Sequence, residues 1–259
     1  MVCWPVGPGR YPSRAERPAP RIASPFPRFR YQPVVRPCPN PCTSCWRQIW
    51  AIYYVECIVY ARQTARRSRA KAILDPFPRD GQRGVSERGA ARIESRDGEV
   101  LSSRTDARAA FIGRSGLRRN LRWDPLDSVY FAGYAMWNYL TFPYLLTREG
   151  VEVSDGDTWR EGGETWRRLD ASFPPDIDTH SRRQTYYVDA GGRLRRHDYV
   201  PEVIGRWARS AHYCADHVQA GGLLFPTRRR VLLIGPGNRS LPFPATVSLQ
   251  LTDLRIETE

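Results

Sequence analysis

Thr165–Phe173 (TWRRLDASF), His180–Val188 (HSRRQTYYV), Arg193–Val200 (RLRRHDYV) and Arg206–His217 (RWARSAHYCADH) follow one another with turn-forming residues between them. In each, large apolar or aromatic side chains alternate with charged ones, the period of two that a strand with unlike faces requires. Tyr144–Thr147, Val151–Val153, Leu223–Ile234 and Thr246–Glu257 extend the pattern. Gly162-Gly163, Pro174-Pro175, Gly191-Gly192, Gly221-Gly222 and Gly235-Pro236-Gly237 mark the breaks. Short strands joined by glycine-rich turns predict an antiparallel meander or partial barrel rather than alternating strand and helix units.

Upstream, Asp124-Pro125 has the chemistry of a helix start, an acidic cap followed by proline in the first turn. From Leu126 to Leu140, Val129, Tyr130, Phe131, Tyr134, Met136, Trp137 and Tyr139 cover nearly the whole circumference. A helix apolar on all sides must be buried on more than one of them. Pro143 ends it by removing a backbone donor. The expected fold class is therefore α+β, a strongly curved antiparallel sheet (half-barrel) wrapped around one apolar helix at 125–140. A hairpin at Arg92–Glu94 and Glu99–Ser102, turning at Asp97-Gly98, opens the domain.

Charge divides the chain. Residues 1–90 hold 16 Lys and Arg against 5 Asp and Glu, whereas residues 91–259 hold 24 against 22, so the net +13 belongs mostly to the first third. Eleven of the 22 prolines fall within the first 44 residues, and Lys71 is the one lysine beside 39 arginines. We therefore expect a low-complexity basic leader at 1–90, either a disordered tail or a mis-assigned translation start, and a folded domain at 91–259. Met1–Arg10 lacks the apolar run of a secretory signal, and Ile49–Ala61 is too short to span a bilayer. A cytoplasmic location is expected on that basis. Ile49–Lys71 reads as a linker, or as a basic amphipathic helix suited to a membrane surface. Six cysteines in 259 residues do not make a secreted disulfide framework.

Six segments taken together carry a resemblance: Phe131–Leu140 (FAGYAMWNYL), Trp166–Pro174, Thr179–Ser181, Arg195–Tyr199 (RRHDY), Ala211–Cys214 and Pro226–Val231. As a set they resemble a family of uncharacterised proteins of high-GC bacteria, close to half-barrel folds of the lipoprotein-carrier type. The resemblance covers roughly residues 91 to 257 and implies a curved sheet around an apolar helix, as in carriers of lipids and a few cofactor-free enzymes. It implies no activity.

The hairpin from His180 to Tyr199 sorts its side chains by parity. For any loop that shifts the register by an even number, one face carries Arg183, Thr185, Tyr187, Leu194, Arg196 and Asp198. The other carries His180, Arg182, Gln184, Tyr186, Arg195, His197 and Tyr199; a three-residue loop would break the assignment. Asp198 between Arg183 and Arg196 would stay ionised, and the trio could anchor a carboxylate, phosphate or enol oxygen if that face lines the concavity. Otherwise it is a cross-strand ion-pair ladder on the solvent side.

His212, Cys214 and Asp216 alternate on one strand face; with His180 and His197 nearby they are either histidines hydrogen-bonded within the sheet or parts of a mixed metal site. His180, Asp198 and His212 are the candidates for proton transfer. Cys38, Cys42 and Cys45 have the spacing of an iron–sulfur site, but no strand–helix barrel follows to support one. Arg228-Arg229-Arg230 and the leader's arginines would attract phosphates, yet no nucleic-acid-binding motif accompanies them, so no specific nucleic acid is expected.

The expected function is a binding or carrier module for a small, partly apolar or amphipathic molecule in a cavity between sheet and helix. Tyr130, Tyr134, Trp137 and Tyr187 would supply surface, with Arg183, Arg196 and Asp198 holding a polar end. The alternative is a cofactor-free enzyme using histidine or aspartate in the same cavity. No cofactor, metal or membrane span is expected, and the oligomeric state is open.

Overall fold

The computed structural model describes residues 28–31, 58–62, 71–112, 122–251 and 254–257. The expectations for Cys38–Cys45 and most of the leader lie outside them. The described residues form an α+β fold with two antiparallel sheets and one long helix, neither sheet closed into a barrel.

The first sheet contains β1 (Arg28–Tyr31), β2 (Ile58–Arg62), β3 (Lys71–Asp75), β4 (Gln82–Glu87), β5 (Ala90–Ser95), β6 (Val100–Arg104) and β15 (Leu254–Glu257), with β15 at one edge and β6 at the other. The second contains β7 (Glu152–Asp155), β9 (Glu164–Ser172), β10 (Arg183–Val188), β11 (Leu194–Tyr199), β12 (Ser210–Ala220), β13 (Leu223–Ile234) and β14 (Ser240–Gln250), while β8 (Trp159–Glu161) pairs with β9 as a short flap.

The expected boundary at residue 91 falls inside this architecture. β4 and β5 are the two arms of one hairpin, and β3 pairs with β4 along Lys71–Leu74. Ala72, Leu74 and Val85 are buried, so the first sheet's core begins before the charge balance changes. Composition hid these strands, because a few apolar residues at period two suffice for a strand while arginine and proline dominate the average. Tyr144–Thr147, expected as a strand, is a 3-10 turn after Pro143.

Helix α1 (Pro125–Thr141) is held at both ends by side chains. Asp124 and Asp127 form a reciprocal capping box, each carboxylate accepting the other's backbone N–H at 2.9 Å. Arg104 on β6 grips both, Nη1 to Asp127 at 2.6 Å and Nη2 to Asp124 at 2.7 Å. At the far end residue 143 is proline, so the Tyr139 carbonyl has no amide four residues on. Arg229 Nη2 on β13 donates to it instead, at 3.0 Å.

The helix is buried from both sides, as its composition requires. Val129 lies over Gly84 of β4, where a Cβ would come within 2.7 Å of Val129 Cγ2, and Gly133 abuts Ser86. Tyr134, Trp137, Tyr139 and Leu140 are also buried, and the tyrosines reach the inner face of the second sheet.

Candidate functional site

The register of β10 with β11 fixes what each face holds. Tyr186 pairs with His197 and Tyr187 with Arg196, after which a bulge brings Val188 opposite Leu194. Tyr186, His197 and Tyr199 turn towards α1, whereas Arg183, Thr185, Tyr187, Arg196 and Asp198 turn away. The bulge overturns two expected placements: Leu194 joins the core, and Arg195 reaches Glu164 beside Arg196 on the outer face.

The expected ligand residues are thereby split between opposite faces of one sheet. Tyr130, Tyr134 and Trp137 are buried around the helix, and their hydroxyls, where present, are engaged. Tyr130 donates to Asp178 at 2.9 Å, and Tyr134 Oη is 3.3 Å from His180 Nδ1. Tyr187, Arg183, Arg196 and Asp198 lie on the far side, so one cavity between sheet and helix cannot collect all seven.

The inner face is a closed aromatic and histidine layer. His180 stacks on Tyr199 with ring centroids 3.9 Å apart, and its Nε2 is 3.0 Å from Tyr139 Oη, itself 3.0 Å from Tyr199 Oη. His197 Nε2 donates to Gln184 Oε1 at 2.6 Å. His212 packs edge-on against Tyr139, and neither of its ring nitrogens has a partner among the described residues. Burial holds His180 down at about 3 and His197 and His212 well below the ordinary imidazole range, with cationic Arg108 or Arg229 adding to the effect. Neutral and shielded from solvent, His180 and His212 are not placed to exchange protons with a molecule outside. They also lie across the sheet from Asp198, which corrects the expected acid–base grouping. Cys214 is buried at 3.5 Å from Arg229 Nη1, whereas Asp216 pairs with Arg228 at the surface. Among the described residues no three such side chains gather as a metal would require.

On the outer face Arg196 is a structural hub. Its Nε and Nη2 donate to the two oxygens of Asp198 at 2.6 and 2.8 Å, its Nη1 to Glu161 of β8 at 2.8 Å, and its Nη2 also to the Asn238 carbonyl at 2.7 Å. Trp159, Tyr187 and Tyr213 present their rings to the guanidinium at 5.1 to 5.7 Å. Arg196 is fully buried, and its donors are already occupied, so it is not free to hold a ligand. Burial raises the Asp198 carboxyl above its ordinary value while hydrogen bonds from Arg196, Tyr187 and Asn238 oppose the shift. The expected contact from Arg183 to Asp198 is not formed.

Beside this hub lies an open cavity of about 560 Å³. Two cross-strand rows floor it. Ser154, Asp170, Thr185 and Asp198 make the first, through the pairs Ser154↔Asp170, Thr185↔Asp170 and Thr185↔Asp198. Two residues further along β7, β9 and β10 come Glu152, Ser172 and Arg183, and the lining continues with Val200, Arg209 and Ile234, whose N–H donates to the Arg209 carbonyl. The carboxylates of the first row are neutralised locally, Asp170 by Arg168 at 2.6 Å and Asp198 by Arg196. Arg183 and Arg209 are exposed and make no ion pair with any described residue. Parity alone identified Arg183; Arg209 and Ile234 could be found only from strand order, because they lie 26 and 51 positions away in sequence.

No protein-family model matches the chain, and no curated protein matches it closely. Three solved structures are similar in fold. A LolA superfamily protein from Nitrosomonas europaea shares 11% identity over 78% of this chain and 77% of its own, with a TM-score of 0.43. A DUF1329 family protein from Desulfovibrio piger shares 14% over 77% of each chain, with a TM-score of 0.44. A putative outer membrane lipoprotein-sorting protein domain from Vibrio parahaemolyticus shares 10% over 78% and 77%, with a TM-score of 0.42. Likenesses so distant assign neither ligand nor activity. The expected cytoplasmic location is withdrawn. The expectation rested only on a missing apolar run near Met1. No described helix is long and apolar enough to cross a membrane.

Proposed function

We propose that this protein is a binding module for a small, partly apolar molecule with an anionic end, held in the outer-face cavity rather than between sheet and helix. One observation carries the reading: Arg183 and Arg209, neither in an ion pair with a described residue, line the same cavity together with Val200. Strands two apart are separated by about 10 Å, so two arginine side chains rising from them can converge on one carboxylate or phosphate. Val200 and Ile234 supply apolar wall, and Ser172 and Ser154 supply hydroxyls. A ligand that satisfies two guanidiniums and covers this wall gains both orientation and affinity.

Titration with octanoate and octanol, read by calorimetry, tests this reading. Octanoate should bind at least ten-fold more tightly than octanol. The double variant Arg183→Gln, Arg209→Gln should lose that preference with its thermal midpoint nearly unchanged, because both side chains are exposed and the hydrogen bond lost, from Arg209 to Asn238, is a long one at 3.4 Å. Equal binding of octanoate by wild type and double variant would overturn the proposal, as would no binding of octanoate to the wild type.

A further inference from the structure

At the end of the second sheet, two turns adjoin just beyond the cavity. The turn between Pro201 and Ala208 is closed by the Ile204 and Gly205 amides on the Pro201 carbonyl and by the Ala208 amide on the Gly205 carbonyl. The turn from Gly235 to Arg239 joins β13 to β14. They are tied together by the Ile234 amide on the Arg209 carbonyl at 2.8 Å and by Arg209 Nη2 on Asn238 Oδ1 at 3.4 Å.

These turns and the strand start beside them hold an unusual surface. Trp207 is 61% exposed, Leu241 39% and Phe243 78%, the last the most exposed large apolar side chain among the described residues. Arg206, Arg209 and Arg239 are interleaved with them, all exposed and none in an ion pair with a described residue. The carboxylate nearest in sequence, Glu202, is occupied by Arg108 Nη2 at 2.6 Å. The patch is thus positive as well as apolar.

We infer that this end of the molecule docks on the surface of an anionic lipid bilayer, with Trp207, Leu241 and Phe243 entering the headgroup and acyl boundary and Arg206 and Arg239 meeting lipid phosphates. The arrangement of the side chains favours a bilayer over a protein partner. The large apolar groups project from one turn, which carries Trp207, and from the start of β14, which carries Leu241 and Phe243, while Arg206, Arg209 and Arg239 adjoin them along the chain. A bilayer interface accepts both kinds of group, with aromatic rings at headgroup depth and guanidiniums on phosphate oxygens. Charge complementarity supplies the sign: three cations without carboxylates suit a surface of phosphates.

The test is flotation of the full chain with vesicles of phosphatidylcholine alone or with about 30% phosphatidylglycerol, at which each cation near the surface gains appreciably. Binding should favour the anionic vesicles at least ten-fold and weaken as salt rises. Phe243→Ser and Trp207→Ser should each lower it at least five-fold. The pair Arg206→Gln, Arg239→Gln should abolish the preference for phosphatidylglycerol. All four positions are exposed, and an unchanged thermal midpoint will show that each variant folds. No flotation with anionic vesicles, flotation indifferent to these substitutions, or a response to them confined to duplex DNA added in place of vesicles would overturn the inference. Octanoate binding is read separately, so failure here leaves the cavity assignment standing.

Discussion

The residues that set this protein's chemistry are those whose charge depends on which face of a strand they occupy. His197 and Asp198 are adjacent in sequence, yet one is held neutral in the aromatic layer and the other is locked to Arg196 on the opposite face. The three inner histidines make stability depend on pH. Their folded pKa values are depressed, so above about 6.5, the unfolded value, they are neutral in both states and cost nothing. As pH falls below 6.5 the unfolded chain takes up protons that the folded chain refuses, and stability declines until pH reaches the folded values, about 3 for His180. Each histidine contributes a slope of at most about 1.4 kcal/mol per pH unit, and all three act in the same direction between pH 7 and pH 5. Urea midpoints across that interval should fall steeply; a flat profile would refute it. Glu161, whose carboxyl is held below its usual range against the desolvation that raises it, acts in a separate window. Its contribution is lost only as pH falls further, below the ordinary carboxylate value.

Arg196 is the other residue with a large expected effect. Arg196→Ala leaves Asp198 buried without its cation and leaves Glu161 of the flap held only by Tyr213 and Trp159. We expect a loss of about 3 kcal/mol, measured by chemical denaturation, as for a buried ion pair deprived of one partner. Removing Asp198 as well should recover part of that loss. Additive losses in the double variant would show that the two side chains act independently.

At the scale of elements, the helix is fixed by contacts its own sequence does not reveal. Its N-terminus is a capping box that the acidic residues announce, but the fork from Arg104 on β6 belongs to the other end of a chain reversal. Close approach to β4 depends on Gly84 and Gly133, whose missing Cβ atoms leave room for Val129 and Ser86. Gly133→Ala should destabilise the fold by about 1–3 kcal/mol, the usual cost of overpacking, despite alanine's better helix propensity. A thermal midpoint that rises instead would mean the helix can shift away from the sheet. Strand alternation was legible for Thr165–Ile234 because each strand there has unlike faces. It failed at Leu194, where a bulge reverses parity without any glycine or proline at the bulge itself to signal it.

For the whole molecule, the first sheet joins what charge divided. β3 and β4 cover the helix surface formed by Val129 and Gly133, so a chain starting at residue 91 would expose it. Deletion of residues 1–90 should abolish cooperative unfolding, as followed by near-ultraviolet circular dichroism. A truncated protein with the native transition would restore the boundary near residue 91. The second sheet brings Arg183 and Arg209 to one cavity, with Arg206, Trp207, Arg239, Leu241 and Phe243 clustered at its end. The proposed binding cavity and the inferred docking surface are thus neighbours.

The sequence by itself determined the class of fold, the helix with its capping residues, and the sorting of His180–Tyr199 into two faces, because these follow from local periodicity and backbone chemistry. Only the tertiary structure decided which face meets the helix, and therefore that Arg196 is a buried strut while Arg183 remains available. That choice rests on strand order and register, which are set by side chains far apart in the chain packing together. No local pattern encodes the partner across a sheet.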